Sequence, residues 1–397
     1  MTARPHDPLH WIDQELEALA DRDLRRQRSA YQREPGGVLT GTAAVESARW
    51  LDFGSNDYLG LAHDPRVAAA AAEVGSQGWG ATASPLVCGR SRWHAELEER
   101  LAQFEGTEAA IVFPSGFAAN LGTIAALVAR GDAVFSDEKN HASIIDGCRL
   151  SRAEVFVYPH ADVDALQSQL ARAAHFRRRL IVTDALFSMD GNFAPLAELA
   201  ELAERYDAML LVDEAHATGV WGQRGRGVAE HLGVAARVPV KIGTLSKALG
   251  SMGGFVCGSR SLIEWLANRA RPYIFSTALP PAAAVAAWAA LDLVEREPQR
   301  RHELARRASW LRDQLAAQGW NVGASSTQIV PLVVGAAATA LELSARLREA
   351  GLFVPAIRPP SVAEGQARLR ISLTYPSGSE GLERLVAALG RLVPVLR

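Results

Sequence analysis

One lysine of this sequence stands among small residues rather than among other charges. Lys247 lies in the stretch GTLSKALGSMGG, which follows the apolar run VPVKI and contains no acidic residue. A tight turn that happens to contain a lysine is one interpretation. The other is an amine that a flat molecule approaches closely, because such an amine can form an imine with an aldehyde.

A carboxylate and a histidine stand close together in the motif LLVDEAH, at Asp213 and His216. In one interpretation Asp213 only caps the segment that follows its strand. The letters D-E-A-H also occur in nucleotide-driven helicases, but those need a phosphate loop of the form GxxxxGK[ST], which this chain lacks. In the third interpretation Asp213 faces a heterocyclic nitrogen and His216 faces a neighbouring ring oxygen.

The stretch PSGFAAN could supply backbone N–H groups at a helix start for a phosphate, and Gly116 permits close approach of the backbone. His141 in EKNHASII could lay its ring on a flat cofactor, although alone it is as well explained as a core or turn histidine. Together these features favour pyridoxal 5'-phosphate (PLP), which stores electrons only while a partner such as Asp213 keeps its ring nitrogen protonated.

The elements that must position these residues alternate between helix and short buried strand. The strand segments are rich in Val, Ile and Leu without polar alternation, which is typical of a mostly parallel sheet covered by helices on both faces. The sequence therefore predicts an α/β protein. In such sheets ligands bind beyond the carboxyl ends of the strands. The residues singled out at predicted strand ends, most of them polar, are Ser115, Gly116, Phe117, Asp184, Ser188, Asp213, His216, Thr244, Ser246 and Lys247.

Pattern changes along the chain predict three segments. Residues 1–50 are expected to form an N-terminal helical segment, and residues 51–285 a large domain that binds the cofactor. Residues 286–397 are expected to form a bridging helix and a small C-terminal α/β domain, a usual domain size.

Composition excludes several classes of partner. The chain of 397 residues has a net charge of −2, so no basic surface for nucleic acid or anionic membranes is expected. The cysteines Cys88, Cys148 and Cys257 are far apart and show no zinc-ligand spacing, so no metal is expected and a reducing, cytoplasmic location is favoured. No segment has the length and apolarity of a membrane span.

Seven motifs, in order along the chain, resemble those of the α-oxoamine synthases. They are SNDYLGL, SGFAAN, NHASIIDG, FSMDGN, VDEAHATGVWGQRGRG, GTLSKALG and ARLRISLT. The resemblance implies a PLP-dependent transferase of fold type I, with a large domain and a smaller C-terminal domain. It also implies a homodimer with shared active sites that condenses an amino acid with an acyl thioester and releases CO2.

The same resemblance implies a role for each matching residue. Lys247 would form the imine with PLP and move the α-proton, and Asp213 would pair with the ring nitrogen. His216 would hydrogen-bond the phenolic oxygen, and His141 would stack on the ring and contact substrate. The other implied cofactor contacts are Gly116, Phe117, Ser188, Thr244, Ser276 and Thr277, and the other implied substrate contacts are Arg25, Asn56, Ser361 and Arg370.

The run AIRPP followed by Ser361 resembles the members that join L-alanine to a pimeloyl thioester, of CoA or of an acyl carrier protein, in biotin biosynthesis. An alternative within the family is a relative that uses glycine and a short acyl-CoA, such as 2-amino-3-ketobutyrate CoA ligase. A binding protein that kept the fold without the activity would be expected to lose Lys247 or Asp213, and both are present.

Overall fold

Helices and short strands alternate along most of the chain. The computed structural model describes residues 8–41 and 48–392. Its helices are α1 Trp11–Asp21, α2 Pro65–Gly75, α3 Arg92–Glu105, α4 Gly116–Leu127, α5 Ala142–Ser151, α6 Val163–Ala171, α7 Leu196–Arg205, α8 Val228–His231, α9 Arg260–Arg269, α10 Arg271–Phe275, α11 Pro281–Arg296, α12 Gln299–Ala317, α13 Ala337–Glu349 and α14 Gly378–Leu392. Its strands are β1 Tyr31–Glu34, β2 Val38–Gly41, β3 Arg49–Asp52, β4 Ala109–Phe113, β5 Ala133–Asp137, β6 Glu154–Tyr158, β7 Arg179–Asp184, β8 Met209–Asp213, β9 Val240–Thr244, β10 Gly254–Gly258, β11 Ile329–Gly335, β12 Leu352–Phe353, β13 Ala356–Ile357 and β14 Ala367–Ser372.

The contacts divide the chain into two compact units. The described residues of Met1–Ser55 and Arg307–Arg397 form unit 1, and Asn56–Arg306 form unit 2. The N-terminal residues thus cluster with the C-terminal ones. The division by function into 1–50, 51–285 and 286–397 stays a prediction.

Unit 2 is built on a seven-stranded sheet with the strand order β4-β10-β9-β8-β7-β5-β6. The neighbouring strands from β9 through β8, β7 and β5 to β6 are parallel. Strand β10 is antiparallel to both β9 and β4. The predicted α/β class with a mostly parallel sheet is therefore confirmed.

Helices bury this sheet on both faces. Strands β5, β9 and β10 are buried at every residue, which explains why their sequences do not alternate. On one face, Phe113, Val182 and Ile242 of the strands form a continuous apolar cluster with Ile124 of α4 and Ile144 of α5. This packing fixes the strands whose carboxyl ends carry the candidate site.

Unit 1 contains two smaller sheets. One has the order β1-β2-β3-β12, and the other has the order β11-β14-β13. Helix α13 packs against the strands of the second sheet. Strand β3 runs parallel to β12, with Leu51 opposite Leu352, and this pairing ties the N-terminal strands to the C-terminal part of the unit.

The N-terminal segment contains more than the predicted helix. After α1, residues 31–41 form an antiparallel hairpin in which Tyr31 pairs with Gly41. Gly36 and Gly37 have positive φ angles of 80° and 73° between its strands, a conformation that glycine adopts without steric cost. The sequence Pro-Gly-Gly at residues 35–37 is the local signal for this turn.

No helix within the described ranges is long and apolar enough to cross a membrane. All three cysteines are free thiols, with Cys148 and Cys257 buried.

Candidate active site

Three neighbouring parallel strands end in polar residues at one edge of the unit 2 sheet. Asp184 ends β7, Asp213 ends β8 and Thr244 ends β9. Asp184 lies directly opposite Asp213 in the register, and Asp213 lies opposite Ile242. The structure therefore brings together side chains that are separated by about thirty residues in the sequence, as the strand-end argument expected.

Lys247 differs from the other lysines of the chain in its surroundings. The sequence contains only three lysines, Lys139, Lys241 and Lys247. Lys241 is buried in β9 with its Nζ 3.8 Å from a carboxylate oxygen of Glu105, and Lys139 pairs with Asp190 at 3.2 Å. Lys247 is half-buried in the turn that follows β9, at the rim where Asp213 ends its strand. It is the lysine placed to react with a ligand at this rim.

A glycine closes the turn that presents Lys247. The N–H of Gly250 donates to the carbonyl of Lys247 at 2.9 Å, and Gly250 has a φ of 61°. A Cβ on Gly250 would lie 2.3 Å from the backbone nitrogen of Ala62. Only glycine fits this close approach, which explains the small residues around the lysine.

Asp213 is held by two hydrogen bonds and is buried, with 4% of its surface exposed. The backbone N–H of Ala215 donates to its Oδ1 at 2.7 Å, and Asn120 Nδ2 donates to its Oδ2 at 2.6 Å. Donors to both oxygens favour the ionised carboxylate. Sequence analysis assigned no role to Asn120, although it is the one long polar side chain of the buried part of α4 and lies in the quoted motif SGFAAN.

His216 is oriented by a residue that sequence analysis also missed. The hydroxyl of Tyr58, a fully buried side chain, lies 2.6 Å from His216 Nδ1 and 3.2 Å from Asn56 Oδ1. These contacts hold the His216 ring in place through its Nδ1. Asn56, predicted to contact substrate, belongs to the same hydrogen-bonded group.

His141 begins α5 at the open side of the site. Its backbone N–H donates to Asp184 Oδ2 at 2.7 Å, and its Nδ1 accepts from the backbone N–H of Ser143 at 3.2 Å. The Phe117 ring stands edge-on to the His141 ring at a centroid distance of 6.4 Å. The backbone N–H of Ser143 thus holds the imidazole at Nδ1, and the Phe117 ring packs against it.

The charges at this rim act on one another. Desolvation lowers the pKa of His141, the charge of Asp213 opposes that shift and the charge of Lys247 adds to it. Burial raises the pKa of Asp184 well above its ordinary value, and the negative charge of Asp213 adds to the rise. Asp213 and Lys247 contribute to both pKa shifts, so their charges lie within electrostatic reach of both His141 and Asp184. Because the pKa of His141 lies below the ordinary value of a histidine, its ring is neutral near pH 7.

The first turn of α4 offers backbone donors beside β9. The Ser115 side chain caps the helix by accepting from the N–H of Ala118 at 3.0 Å. Among the described residues, the N–H groups of Gly116 and Phe117 have no hydrogen-bond acceptor. A Cβ on Gly116 would lie 3.5 Å from Thr244, whose hydroxyl donates to the carbonyl of Gly253 at 2.9 Å. Two open N–H groups at a helix start form a site for a phosphate.

This set of donors and acceptors fits PLP. The Asp213 carboxylate would suit a protonated ring nitrogen, the His216 ring would suit the phenolic oxygen and the start of α4 would suit the phosphate. Lys247 would supply the amine for the aldehyde. No group in the set conflicts with the cofactor that the sequence predicted.

Three other predicted cofactor contacts lie elsewhere in unit 2. Ser188 is half-buried in the loop between β7 and α7, close after Asp184. Ser276 is half-buried and Thr277 is exposed, directly after α10. Their roles toward the cofactor stay predictions.

The predicted substrate contacts Arg25, Ser361 and Arg370 belong to unit 1. Arg25 and Ser361 are exposed, and Ser361 lies in a turn where its N–H donates to the carbonyl of Arg358 at 3.1 Å. Arg370 lies in β14 and is only 5% exposed. The simplest alternative to a binding role is that Arg370 is an exposed strand arginine, and its burial excludes that interpretation.

The comparisons with known proteins agree on one family. The model of the family "Aminotransferase class I and II" matches residues 48–389. An 8-amino-7-oxononanoate synthase of Anaeromyxobacter dehalogenans is 52% identical over 390 residues, which cover 98% of this chain and 96% of the relative. Another, of Geobacter sulfurreducens, is 49% identical over 381 residues, with 95% and 96% covered.

Solved structures give the same result. A serine palmitoyltransferase from S. paucimobilis with a bound PLP–myriocin aldimine is 30% identical and superposes with a TM-score of 0.92, with 98% of this chain and 99% of that chain covered. Serine palmitoyltransferases are also α-oxoamine synthases. The chain therefore belongs to the aminotransferase class I and II family, and within it to the α-oxoamine synthases that the sequence motifs resemble.

Proposed function

We propose that this chain catalyses the reaction for which its relatives are named, that of 8-amino-7-oxononanoate synthase. L-Alanine is condensed with a pimeloyl thioester, and CO2 and the thiol are released, as a step of biotin biosynthesis. The observation that carries the proposal is the identity of about half of all residues, over nearly the full length, to synthases of that name. The cytoplasm is the proposed location, which the free thiols support.

PLP is the proposed cofactor, held by the residues at the rim of unit 2. When bound there, PLP would supply an aldehyde for the amine of an amino acid and a ring that stabilises negative charge on its α-carbon. Asp213 would hold the proton on the ring nitrogen, and Asn120 and the Ala215 N–H keep that carboxylate ionised. His216 would hydrogen-bond the phenolic oxygen, and the contact between its Nδ1 and the Tyr58 hydroxyl would hold the ring in place.

Lys247 would act as the base and acid of the reaction. Its amine would take the proton from the α-carbon of alanine and later return a proton to the product. A flexible side chain can do both from one position.

Arg370 is the proposed clamp for the carboxylate of alanine. Arg368 and Arg370 stand on the same side of β14, because side chains two residues apart share a face. The Nε of Arg368 donates to the nearby carbonyl of Gln366 at 3.1 Å, a local structural bond. A guanidinium binds a carboxylate with two parallel hydrogen bonds, which suits Arg370 to hold one substrate geometry.

Arg370→Lys is expected to raise the KM for alanine about ten- to hundredfold, because a point charge replaces a two-pronged contact. Steady-state kinetics with alanine as the varied substrate measure this. Arg368→Lys is the matched control, since it changes the same side of the same strand. If Arg368→Lys raises the KM and Arg370→Lys does not, the clamp is Arg368.

The acyl donor is proposed to meet a basic cavity in unit 1. This cavity of about 1110 Å³ is lined by Arg25, Arg28, Arg348 and Arg358 together with Asp23 and Tyr31. None of the four arginines pairs with a carboxylate of the described residues, and Arg358 instead donates to the backbone carbonyl of Asp23. Uncompensated guanidinium groups attract an anion, such as the carboxylate or phosphates of the donor. Ser361 is the further acyl contact that the resemblance implies.

A second copy of the chain is the proposed partner. Unit 2 exposes large apolar side chains at Trp79, Val87, Met252 and Phe275, of which Val87 is 77% exposed. The turn Pro85–Gly89, which carries Val87, packs against α10, whose last residue is Phe275. Exposed apolar patches mark interfaces. Light scattering is expected to give the mass of a dimer, and Phe275→Asp is expected to weaken it.

Ser276 and Thr277 directly follow Phe275, so a dimer formed through this surface would carry both residues into the interface. The resemblance predicts that they, with Asn56, reach the site of the partner subunit. A monomer with full activity would contradict this part of the proposal.

Product analysis tests the function directly. The PLP-loaded protein is given alanine or glycine, each with pimeloyl-CoA, a pimeloyl carrier protein or a short acyl-CoA, and thiol release and product mass are measured. Condensation of alanine with a pimeloyl thioester is expected. A clear preference for glycine with a short acyl-CoA would instead make the chain a relative of 2-amino-3-ketobutyrate CoA ligase.

A further inference from the structure

A chain of hydrogen bonds joins the Asp213 carboxylate to the His141 ring. Asn120 Nδ2 donates to Asp213 Oδ2 at 2.6 Å and to Ser143 Oγ at 3.0 Å. Ser143 Oγ in turn lies 2.7 Å from His141 Nδ1. Asn120 and Ser143 are each 1% exposed, so water does not compete for the two bonds that Asn120 donates.

The charge of Asp213 decides which atom donates at each step. An ionised carboxylate only accepts, so the Asn120 amide must turn its NH2 group toward it. Asn120 Oδ1 is left without a hydrogen-bond partner among the described residues, although it is buried. That cost is tolerated because the reversed amide would place its oxygen against the carboxylate. Ser143 Oγ accepts the second N–H, and its own proton is left for His141 Nδ1.

We propose that Asn120 and Ser143 are positioning residues, through which the ionised Asp213 holds the neutral His141 ring in the tautomer with its proton on Nε2. The Ser143 hydroxyl and the Ser143 backbone N–H both point at Nδ1. A proton bound to Nδ1 would therefore face two donors and find no acceptor. The relay therefore fixes the tautomer of the ring, and burial keeps the ring neutral. The meaning of this for catalysis rests on the proposed function.

A neutral ring matters because of the charges that face His141. Lys247 and Asp213 act on it from the strand ends, Asp146 acts from its own helix, and Asp184 accepts its backbone N–H. A cationic imidazole would add to the positive charge of Lys247 and would oppose the protonated cofactor nitrogen that Asp213 is proposed to hold. Asp213 thus acts twice, directly at the ring nitrogen and through the relay at His141.

Nitrogen NMR of the protein without cofactor tests the relay independently of activity. Histidine labelled with ¹⁵N reports which ring nitrogen carries the proton, and His141→Gln identifies the signal by its loss. The wild type and Ser143→Thr, which keeps the hydroxyl, are expected to show Nδ1 unprotonated. Asn120→Leu and Ser143→Ala are expected to show a mixture of the two tautomers. If both retain the wild-type pattern, the backbone N–H of Ser143 alone fixes the ring and the proposal is wrong.

Kinetics of the PLP-loaded enzyme give the second readout. Asn120→Leu is expected to lower kcat about ten- to hundredfold, as for the loss of a hydrogen bond to a charged group, while the KM for alanine changes little. Asn268→Leu is the matched control, because Asn268 is exposed on α9 and donates only to the carbonyl of Glu264. Equal kcat values for the two variants would overturn the proposal.

Two further comparisons separate the possible outcomes of these experiments. If Asn120→Leu fails to fold, the comparison of Ser143→Ala with Ser143→Thr carries the same question, and equal tautomers and equal kcat values in that pair would overturn the relay. A preference of the wild type for glycine would overturn the proposed function and would leave the NMR result unaffected.

Discussion

Lys247→Ala is expected to lower turnover at least about a hundred- to ten-thousandfold, the range that a positioned proton-transferring group contributes. Borohydride reduction of the wild type in the presence of PLP is expected to fix the cofactor to the chain at Lys247, and the variant is expected to lose that attachment. A small primary amine added to the variant should restore part of the proton transfer, because the cavity left by the side chain is open. Peptide mass mapping and turnover measure both effects.

The two other lysines of the chain provide comparisons for this prediction. Lys139→Ala is the matched control, since Lys139 only pairs with Asp190 at 3.2 Å, and it is expected to retain attachment and turnover. Lys241 is buried against Glu105, whose pKa burial raises to about 8, so it is not available to a ligand. A cofactor adduct mapped to Lys139 or Lys241 would remove Lys247 from the reaction.

Asp213→Asn is expected to lower kcat about a hundred- to thousandfold while PLP still binds. A neutral amide cannot hold the proton on the ring nitrogen, whereas the phosphate donors at α4 and the amine of Lys247 are unchanged. Absorbance titration measures cofactor binding, and turnover with alanine and pimeloyl-CoA measures kcat. Near wild-type turnover would mean that Asp213 is a structural cap only.

The same variant should change the ionisation of its neighbours in a defined direction. The negative charge of Asp213 raises the pKa of Asp184 and of His141, so its removal is expected to lower both pKa values. NMR titration follows the pKa of His141. Asp164→Asn, which changes an exposed carboxylate on α6, is the control and should move neither the titration nor kcat. A rise of the His141 pKa in Asp213→Asn would contradict this account of the site.

The sequence by itself determined the sheet of unit 2 and the residues at its edge. Strands such as β5, β9 and β10 are buried along their whole length, so each appears as an unbroken apolar run that can be recognised locally. The polar residue that ends such a run must lie at the carboxyl edge of a parallel sheet. Asp213 and Lys247 could therefore be predicted from short stretches, and the motifs around them indicated the family.

Only the tertiary structure decided which side chains hold these residues in place. Asn120 meets Asp213 across 93 residues of sequence, and Tyr58 meets His216 across 158. The sequence also did not indicate that the N-terminal strands cluster with the C-terminal ones, although Pro-Gly-Gly marks the turn of the hairpin of residues 31–41. Periodicity reports only which face of an element is apolar, whereas such long-range partners depend on how whole elements pack. Burial then makes a hydrogen bond obligatory for each polar group that packing brings inside.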